Sequence, residues 1–365
     1  MAETPRRPLI ALAAGGTGGH LFPALALADA LRPRGFEALL LTDTRGAAFA
    51  AGTGLDYVTL PAAHFGGSPI AKLRAGATIA SAILKARGLL RGRRARAVVG
   101  FGGYPSFAPA IAGKMLGLPL VLHEQATRFS LANRQLLRFA DRVALSFPIA
   151  HPVAHELRAR LTGPPLREAI RCAARAPYPT LDGALHLLVV GGSQGARVFG
   201  ETAPGALLAL PEPLRRRVRL ALQYRGEDSE RIRAELAAAG MEAEVSPFFT
   251  DMADRLAWAH LVLSRADATT AADLTAVGRP AIFVPIPSGG SADEQAGNAR
   301  AFEAAGAGWF LAQCDMAGAL GPLLERLFNG DALPVAAAAS AELGRTDGAE
   351  RLAELVIDAL TPAAS

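Results

Sequence analysis

The sequence predicts an α/β protein of two doubly wound domains, each a parallel sheet covered by helices on both faces. Its length of 365 residues exceeds what one hydrophobic core usually supports. Short, nearly continuous apolar runs alternate with segments of helix length, which is typical of strands buried on both faces. An apolar run, a glycine cluster and a helix-forming stretch follow one another near the start of the chain and again near its middle.

Each domain is predicted to begin with this strand–glycine–helix unit. In the first, the apolar run 9–14 leads through Gly15-Gly16-Thr17-Gly18-Gly19-His20 into a helical stretch 21–31. In the second, the run 185–190 leads through Gly191-Gly192-Ser193-Gln194-Gly195 into a helical stretch that reaches residue 210. Further strands are predicted at 38–41, 97–99, 118–122, 142–145, 218–222, 261–263 and 281–284.

The domain boundary is predicted within residues 161–167, where Gly163, Pro164 and Pro165 interrupt helix and strand. We therefore expect an N-terminal domain of residues 1–163 and a C-terminal domain of residues 164–340. The segment 341–360 is expected to be helical, and the C-terminal region 341–365 to be able to pack back on the N-terminal domain.

Composition disfavours several classes of protein. Hydrophobic residues are 51% and charged residues 19% of the chain, which argues against disorder. The two cysteines, Cys172 and Cys314, match no disulfide framework and no metal-ligand spacing, so we expect a reducing compartment and no metal. No apolar run approaches the roughly 18 residues that span a bilayer. Any membrane contact is therefore expected to be peripheral.

Positive charge is concentrated in one region. The formal net charge is +5, and the nine Lys and Arg residues between Tyr57 and His123 have no Asp or Glu among them. The segment 70–96 mixes these cations with Ile and Leu, which favours an anionic membrane surface, although an ordinary solvated helix has the same pattern. Nucleic acid is disfavoured, because the segment has almost no aromatic residues for base stacking.

The glycine clusters indicate phosphate binding. Glycines beyond the carboxyl end of a parallel strand allow backbone amides to approach phosphate oxygens at a helix N-terminus. A third cluster, Gly100-Phe101-Gly102-Gly103-Tyr104-Pro105, follows another predicted strand. Tight turns needed only for packing are the alternative. A dinucleotide fingerprint is a weaker match, because Leu21 stands where its third glycine belongs and Asp43 is its lone acid, and a Walker loop lacks its lysine.

His20 is the candidate catalytic base. It ends the first glycine loop where a helix begins, and the helix N-terminus disfavours its charged form, so that it could take a proton from a hydroxyl. The alternative is a histidine that caps the helix or contacts phosphate.

Five motifs resemble, in order and spacing, those of the MurG family of glycosyltransferases. They are Gly15-Gly16-Thr17-Gly18-Gly19-His20-Leu21-Phe22-Pro23-Ala24, Gly100-Phe101-Gly102-Gly103-Tyr104-Pro105, His123-Glu124-Gln125 with Ala132-Asn133-Arg134, Val189-Val190-Gly191-Gly192-Ser193-Gln194-Gly195-Ala196-Arg197, and Asp293-Glu294-Gln295 with Asn298-Ala299.

The resemblance implies the GT-B architecture, two Rossmann-like domains facing an interdomain cleft. It implies inverting transfer of N-acetylglucosamine from UDP-N-acetylglucosamine to undecaprenyl-diphospho-N-acetylmuramoyl-pentapeptide (lipid I), giving lipid II for peptidoglycan synthesis. No cofactor is implied. The implied location is peripheral, on the cytoplasmic face of the bacterial inner membrane, with cell-wall synthesis proteins as possible partners.

The resemblance also implies site residues. Those implied for donor or substrate binding are Thr17, Gly18, Gly19, Arg167, Ser193, Phe249, Arg265, Ala268, Thr269, Asp273 and Gln295, with Phe249 in the loop that frames the uracil. Those implied for the acceptor side are Gly15, Gly16, Gly102, Gly103, Tyr104, His123, Glu124 and Gln125.

Five positions depart from the family pattern: Ala126 and Pro164 each replace Asn, Ala266 replaces Ser, Asp267 replaces Gly, and Asp273 replaces Glu. Asp267 bears most on the chemistry, because a carboxylate beside a diphosphate repels it unless it points away. Two alternatives therefore stay open. One is another sugar-nucleotide enzyme, such as a UDP-N-acetylglucosamine 2-epimerase, and the other is a weakened homologue that mainly binds.

Overall fold

A computed structural model of the chain describes residues 7–16, 18–63, 68–149, 159–174, 176–191, 197–289 and 291–361. The chain divides into two compact units, a first unit of Met1–Arg167 with Thr346–Ser365 and a second unit of Glu168–Arg345. The stretch expected to contain the boundary is held inside the first unit, because the amides of Thr162 and Gly163 both donate to the carbonyl of Leu145. The interdomain cleft stays a prediction.

The first unit contains a sheet of seven parallel strands in the order β3-β2-β1-β4-β5-β6-β7. Its strands are β1 (Leu9–Ala13), β2 (Glu37–Thr42), β3 (Tyr57–Thr59), β4 (Ala95–Gly100), β5 (Leu120–Glu124), β6 (Arg142–Leu145) and β7 (Ala159–Leu161). Its α-helices are α1 (Gly18–Leu31), α2 (Thr44–Ala50), α3 (Pro69–Gly92), α4 (Phe107–Met115), α5 (Leu131–Leu136) and α15 (Gly348–Leu360).

The second unit contains a sheet of six parallel strands in the order β10-β9-β8-β11-β12-β13. Its strands are β8 (Leu185–Val190), β9 (Val218–Gln223), β10 (Glu242–Ser246), β11 (Leu261–Ser264), β12 (Ala281–Phe283) and β13 (Gly308–Phe310). Its α-helices are α6 (Glu168–Ala173), α7 (Arg197–Leu208), α8 (Glu212–Arg215), α9 (Ser229–Ala238), α10 (Met252–Trp258), α11 (Ala268–Val277), α12 (Ala292–Ala304), α13 (Met316–Asn329) and α14 (Ala332–Leu343).

The central strand β1 shows why its sequence has no polar residue. Ile10 and Leu12 belong to a core that includes residues of α1 and α15, whereas the alternating residues Leu9, Ala11 and Ala13 belong to another that includes residues of α3 and α4. Every residue of β1 is buried, because both faces of the strand are covered. The prediction of doubly wound α/β units is confirmed.

The sequence prediction missed the strands at both edges of each sheet, namely β3, β7, β10 and β13. These strands are three to five residues long and partly exposed, so they lack the apolar run by which buried strands are recognised. The C-terminal prediction was too long. Residues 341–347 contain the end of α14 and a break before α15, and only α15 packs against α1 in the first unit.

Arg279 is a buried arginine of the second unit that binds the C-terminal ends of two helices. The guanidinium of Arg279, which is 1% exposed, directs its N–H groups at five backbone carbonyls and no carboxylate. Four of these carbonyls lie at the C-terminal ends of α10 and α11, where helices leave their last acceptors unsatisfied. Burial lowers the pKa of Arg279 to about 10. One cation thus caps two helices.

Candidate active site

The strand order places a ligand-binding position in each sheet. In a doubly wound sheet, ligands bind beyond the carboxyl ends of the strands at the point where the strand order reverses. In the first unit that point lies between β1 and β4, and in the second between β8 and β11. In the first unit, one glycine cluster follows β1 and another follows β4. In the second unit, the glycine cluster 191–195 follows β8 in sequence, and the segment 265–269 follows β11. The predicted site segments therefore flank both switch points.

The loop after β1 has little room for side chains. A Cβ atom on Gly15 would lie 2.8 Å from a carboxylate oxygen of Asp43, and Gly16 has φ +82°, a conformation that favours glycine. Gly18 and Gly19 form the start of α1, and a Cβ on Gly18 would lie 3.0 Å from the ring of Phe22. Thr17 lies outside the described residues. The described glycines of the first motif thus form one close-packed turn.

His20 lies in the first turn of α1, and its protonation is set by Phe101. Its Nδ1 atom is 2.9 Å from the carbonyl oxygen of Phe101, which can only accept, so Nδ1 bears the hydrogen in the neutral ring. Burial lowers the pKa of His20 below its usual value, although the hydrogen bond to Phe101 opposes the shift. Nε2 of the neutral imidazole is therefore left with a free lone pair, as a general base requires.

Gln125 reaches the same nitrogen of His20. Its side-chain amide nitrogen is 2.7 Å from Nδ1, while its Oε1 has no hydrogen-bond partner in the described part of the chain. Because Nδ1 already carries a hydrogen, rotation of the amide to present Oε1 satisfies both groups. Phe101 and Gln125 then both accept from Nδ1 and fix the tautomer of His20.

Two glycines keep the other edge of the imidazole open. Gly102 and Gly103 have φ +84° and +70°. A Cβ atom on Gly103 would lie 3.4 Å from Nε2 of His20, and a Cβ on Gly102 would lie 3.4 Å from its Cε1. A larger residue at either position would be strained and would crowd the ring. The glycine cluster 100–105 therefore leaves space beside the nitrogen that would accept a proton.

His123 and Glu124, expected on the acceptor side, are core residues. His123 is fully buried in β5, with Nε2 2.9 Å from Oγ of Ser146, and burial, with a smaller contribution from His20, lowers its pKa to about 3. Such a histidine stays neutral. Both side chains are buried, so neither is exposed for direct contact with an acceptor, and the acceptor-side role of these two residues stays a prediction.

The Glu124 carboxylate organises the loop that carries Gln125. It accepts hydrogen bonds from the backbone amides of Gln125, Ala126 and Ser130 and from the amide of Asn133. Burial raises the pKa of Glu124 above its usual value, while these hydrogen bonds act in the opposite direction. Ala126, one of the departures from the family pattern, is itself buried. Gln125 and Tyr104 stay predicted acceptor-side residues, and the Tyr104 hydroxyl donates to Asp43 over 2.8 Å.

In the second unit the expected donor residues lie around the start of α11. Ala268 and Thr269 form its first turn, and Asp273 is buried one turn further on. Asp267 is the N-cap: its carboxylate accepts from the amide of Thr270 over 3.1 Å and from the Thr270 hydroxyl over 2.8 Å. Ser193 lies outside the described residues. Asp267 is therefore turned back onto its own helix, which directs its carboxylate at Thr270 but leaves its negative charge at the start of α11.

Arg265 and Gln295 hold the loop after β12. The Arg265 guanidinium donates to the carbonyls of Val284 and Pro285 and to Oε1 of Gln313, and Oε1 of Gln295 accepts from the amide of Ile286. Burial lowers the pKa of Arg265. Three of the five N–H donors of Arg265 therefore face protein acceptors. The sequence predicted only a ligand-binding role for Arg265 and did not indicate these contacts.

Two of the residues expected to bind ligand, Phe249 and Arg167, form cation–π contacts within the protein. Phe249 is only 4% exposed and packs under the guanidinium of Arg255, 3.8 Å from the ring centroid, whereas its neighbour Phe248 is 59% exposed. The accessible aromatic of that loop is therefore Phe248, which sequence reasoning missed. Arg167 ends the first unit with its guanidinium 4.5 Å from the ring centroid of Phe22, the residue that packs on Gly18.

Family comparisons identify the class of protein. Residues 10–145 match the glycosyltransferase family 28 N-terminal domain, and residues 186–352 match the glycosyltransferase family 28 C-terminal domain. With two Rossmann-like parallel sheets, the chain is a glycosyltransferase of the GT-B fold.

Sequence relatives narrow this further. The chain is 43% identical over 96% of its length to the UDP-N-acetylglucosamine–N-acetylmuramyl-(pentapeptide) pyrophosphoryl-undecaprenol N-acetylglucosamine transferase of Paramagnetospirillum magneticum, covering 97% of that protein. It is 45% identical to the enzyme of the same description from Rhodospirillum centenum, covering 96% of this chain and 94% of that one. The chain belongs to this transferase family, the MurG family.

Solved structures agree at the level of the fold. The crystal structure of Acinetobacter baumannii MurG superposes with a TM-score of 0.80 at 27% identity, covering 96% of this chain and 99% of that one. A UDP-N-acetylglucosamine 2-epimerase from Neisseria meningitidis superposes with a TM-score of 0.65 at 11% identity, covering 96% of this chain and 100% of that one. At that identity the epimerase shares only the fold.

Proposed function

We propose that this chain transfers N-acetylglucosamine from UDP-N-acetylglucosamine to undecaprenyl-diphospho-N-acetylmuramoyl-pentapeptide, lipid I, and so forms lipid II for peptidoglycan synthesis. The observation that carries the proposal is His20, a neutral imidazole with Nδ1 engaged by Phe101 and Nε2 uncovered at the switch point of the first unit. The relatives' printed description supplies the two substrates. We assign the acceptor to the first unit and the donor to the second.

The reaction is a single displacement. The acceptor sugar hydroxyl forms a bond to the anomeric carbon of the donor as the bond from that carbon to the UDP oxygen breaks, which inverts the configuration at that carbon. Nε2 of His20 takes the hydroxyl proton. The imidazolium that results keeps its Nδ1–H directed at Phe101 and Gln125, whose oxygens accept it. Both hydrogen bonds are present in the neutral ring and become stronger when the ring is charged, so they favour proton transfer to Nε2.

The second unit would stabilise the leaving diphosphate. The first turn of α11 supplies backbone amides at the positive end of a helix, and Arg265 has two N–H donors beyond the three directed at protein acceptors. Asp273, buried in the same helix, is our candidate for the ribose hydroxyls, and Phe248 for the face of the uracil.

The direct test is transfer by the purified protein. Radiolabelled UDP-N-acetylglucosamine and a lipid I analogue should give a labelled lipid product with a β-linkage. Release of N-acetylmannosamine and UDP without an acceptor would instead identify an epimerase, and tight binding without chemistry would identify a binding homologue. A parallel reaction with UDP-glucose measures whether Asp267 and Asp273 have altered the choice of sugar.

We also propose that α3 rests on the anionic cytoplasmic face of the bacterial inner membrane. Within the described residues, no helix has the length and hydrophobicity to cross a bilayer. Leu73 and Leu84 in α3 are 77% and 65% exposed, and because 11 residues make about three helical turns they share one face. Lys72, Arg74 and Lys85 adjoin them in sequence. Exposed leucines among cations suit an interfacial helix.

Vesicle flotation tests the membrane surface. Changing Leu73 and Leu84 together to Ser should weaken binding to phosphatidylglycerol vesicles by about tenfold or more, because two apolar side chains no longer enter the interface. Val335, 68% exposed on α14, gives a matched control, and V335S should bind as wild type does. Equal binding of the double variant and wild type, or no binding by wild type, would refute the surface.

A further inference from the structure

Asp43 is a buried carboxylate that the reaction described above does not use. It follows β2 directly and is the N-cap of α2, with 4% of its surface exposed. Among the described residues it forms no ion pair with Lys, Arg or His. A buried charge without a cation is costly unless hydrogen-bond donors surround it, so its donors explain why it is there.

Three segments of the first unit donate to this carboxylate. Oδ1 accepts from the amide of Gly16 over 3.0 Å and from the amide of Gly46 over 2.8 Å, and Oδ2 accepts from the hydroxyl of Tyr104 over 2.8 Å. These donors belong to the loop after β1, to α2 and to the segment after β4. Burial alone would raise the pKa of Asp43, but the three hydrogen bonds outweigh it and lower the pKa. The group that binds the three segments is therefore the charged form.

The backbone segments around Asp43 pack too closely for larger side chains at the glycines that they contain. A Cβ atom on Gly15 would lie 3.0 Å from the side chain of Pro105, and a Cβ on Gly46 would lie 3.2 Å from the Cα of Gly15. The ring of Tyr104 lies beside Gly16, with its Cε1 3.9 Å from where a Cβ would be. Backbone glycines meet here face to face, and the carboxylate is the side chain that joins them.

The position of Asp43 excludes an obvious alternative. An acid at the end of the second strand of a dinucleotide-binding unit binds ribose hydroxyls. Here both oxygens of Asp43 accept from protein donors, Oδ1 from two backbone amides and Oδ2 from the Tyr104 hydroxyl. Asp43 therefore faces the protein.

We propose that Asp43 is a positioning residue that locks the two glycine loops of the first unit to each other and so sets the acceptor against His20. The link runs from Asp43 to Tyr104, from Tyr104 to the adjoining Gly102 and Gly103, and from those glycines to the imidazole edge beside which they lie. Asp43 itself touches neither His20 nor substrate. This inference rests on the proposed transferase function.

The test compares Asp43→Asn with Tyr104→Phe in the transfer assay. Asn keeps the size of the side chain and can still accept the two amides, but it turns a donor toward the Tyr104 hydroxyl. We expect kcat/KM for the lipid I analogue to fall by about 10- to 100-fold, the cost of a slightly misplaced reacting group, with little change in KM for UDP-N-acetylglucosamine. The losses in kcat/KM caused by D43N and Y104F should be less than additive in the double variant, because each removes the hydrogen bond from the Tyr104 hydroxyl to the Asp43 carboxylate.

A spectroscopic reading separates positioning from general damage. The Asp43 carboxylate contributes to the raised pKa of Tyr104, after burial, so phenolate titration of D43N should show one of the four tyrosines ionising at lower pH than in wild type. Asp29→Asn is the matched control, since Asp29 is an exposed acid of the same unit paired with Arg32. D29N should leave both the kinetics and the titration unchanged.

The outcomes are distinct. Acceptor kinetics of D43N within about twofold of wild type would overturn the inference. So would a parallel loss in every kinetic parameter of soluble D43N. If D43N does not fold, Y104F alone decides, and unchanged acceptor kinetics there refute the proposal. If wild type transfers no sugar, the proposed function fails, and Asp43 is then judged by the phenolate titration and by faster hydrogen exchange at Gly16.

Discussion

The two switch points have the same strand order but opposite charges behind their loops. In the first unit the buried carboxylates of Asp43 and Glu124 accept hydrogen bonds from loop amides. In the second unit the guanidinium of Arg265 donates to loop carbonyls. The difference shows that the topology fixes where the loops are, while the supporting side chains decide which backbone groups remain for a ligand.

This difference fits the chemistry proposed for each unit. Carboxylates behind the first loops occupy amides that could otherwise hold phosphate, and the reactive group left uncovered is the neutral His20. A cation behind the second loops leaves positive charge near the N-terminus of α11, which favours a diphosphate. We therefore propose that the first unit activates the hydroxyl and that the second unit stabilises the leaving group.

The largest expected effect comes from the base. His20→Ala should lower kcat by about 10²- to 10⁴-fold, the usual contribution of a general base, without a comparable loss in thermal stability. His186→Ala is the matched control. It removes a histidine of the second unit that stacks on Trp258, and should lower stability but not the kcat of the folded protein. An H20A variant with kcat within a few-fold of wild type would remove His20 from the chemistry.

The pH profile sharpens the same assignment. A base acts in its deprotonated form, and burial lowers the pKa of His20 below the usual 6.5. The kcat should therefore be flat through neutral pH and fall only as pH drops through that lowered pKa. A limb at or above the ordinary histidine pKa would contradict the environment of His20.

The next prediction concerns Arg265, which supports the loop after β12. Arg265→Lys keeps the charge, but a single ammonium cannot span the carbonyls of Val284 and Pro285 together with Gln313. We expect KM for UDP-N-acetylglucosamine to rise by about tenfold while acceptor KM changes little. Arg215, which also donates to three backbone carbonyls of the second unit, is the control, because R215K should cost stability only. Equal donor KM in both variants would mean that Arg265 has no special role.

The smallest effect tests the exception to this pattern, Asp267 at the start of α11. Asp267→Asn keeps the helix cap but removes a negative charge, so UDP should bind about fivefold more tightly, equivalent to about 1 kcal/mol. The difference from wild type should shrink as salt rises. Burial raises the pKa of Asp267, so the difference should also vanish as pH falls through that raised pKa and wild type becomes neutral. Calorimetric titration with UDP measures it, and weaker binding by D267N would show that the carboxylate helps the donor.

Much of this fold could be predicted from local sequence patterns. Buried strands such as β1 and β8 are apolar throughout, so they are evident from a single sequence, and the turns after them need glycine for close backbone approach. The edge strands were missed because most of their residues are partly or fully exposed and need not be apolar. The motif at the start of α1 identified His20 as the candidate base. Phe248 and Phe249 are adjacent residues of the same type, so the sequence could not show which of them is exposed, and only the packing of the structure distinguishes them.

The sequence by itself determined that two parallel sheets would form and that glycine-lined turns would follow their first strands, because burial and turn geometry act between residues close along the chain. Only the tertiary structure decided that His123 and Glu124 face inward, that Arg265 supports a loop, and that Asp43 joins Gly16 to Tyr104. Those contacts join residues far apart in sequence, and a side chain's partner is fixed only when strand order brings distant segments together.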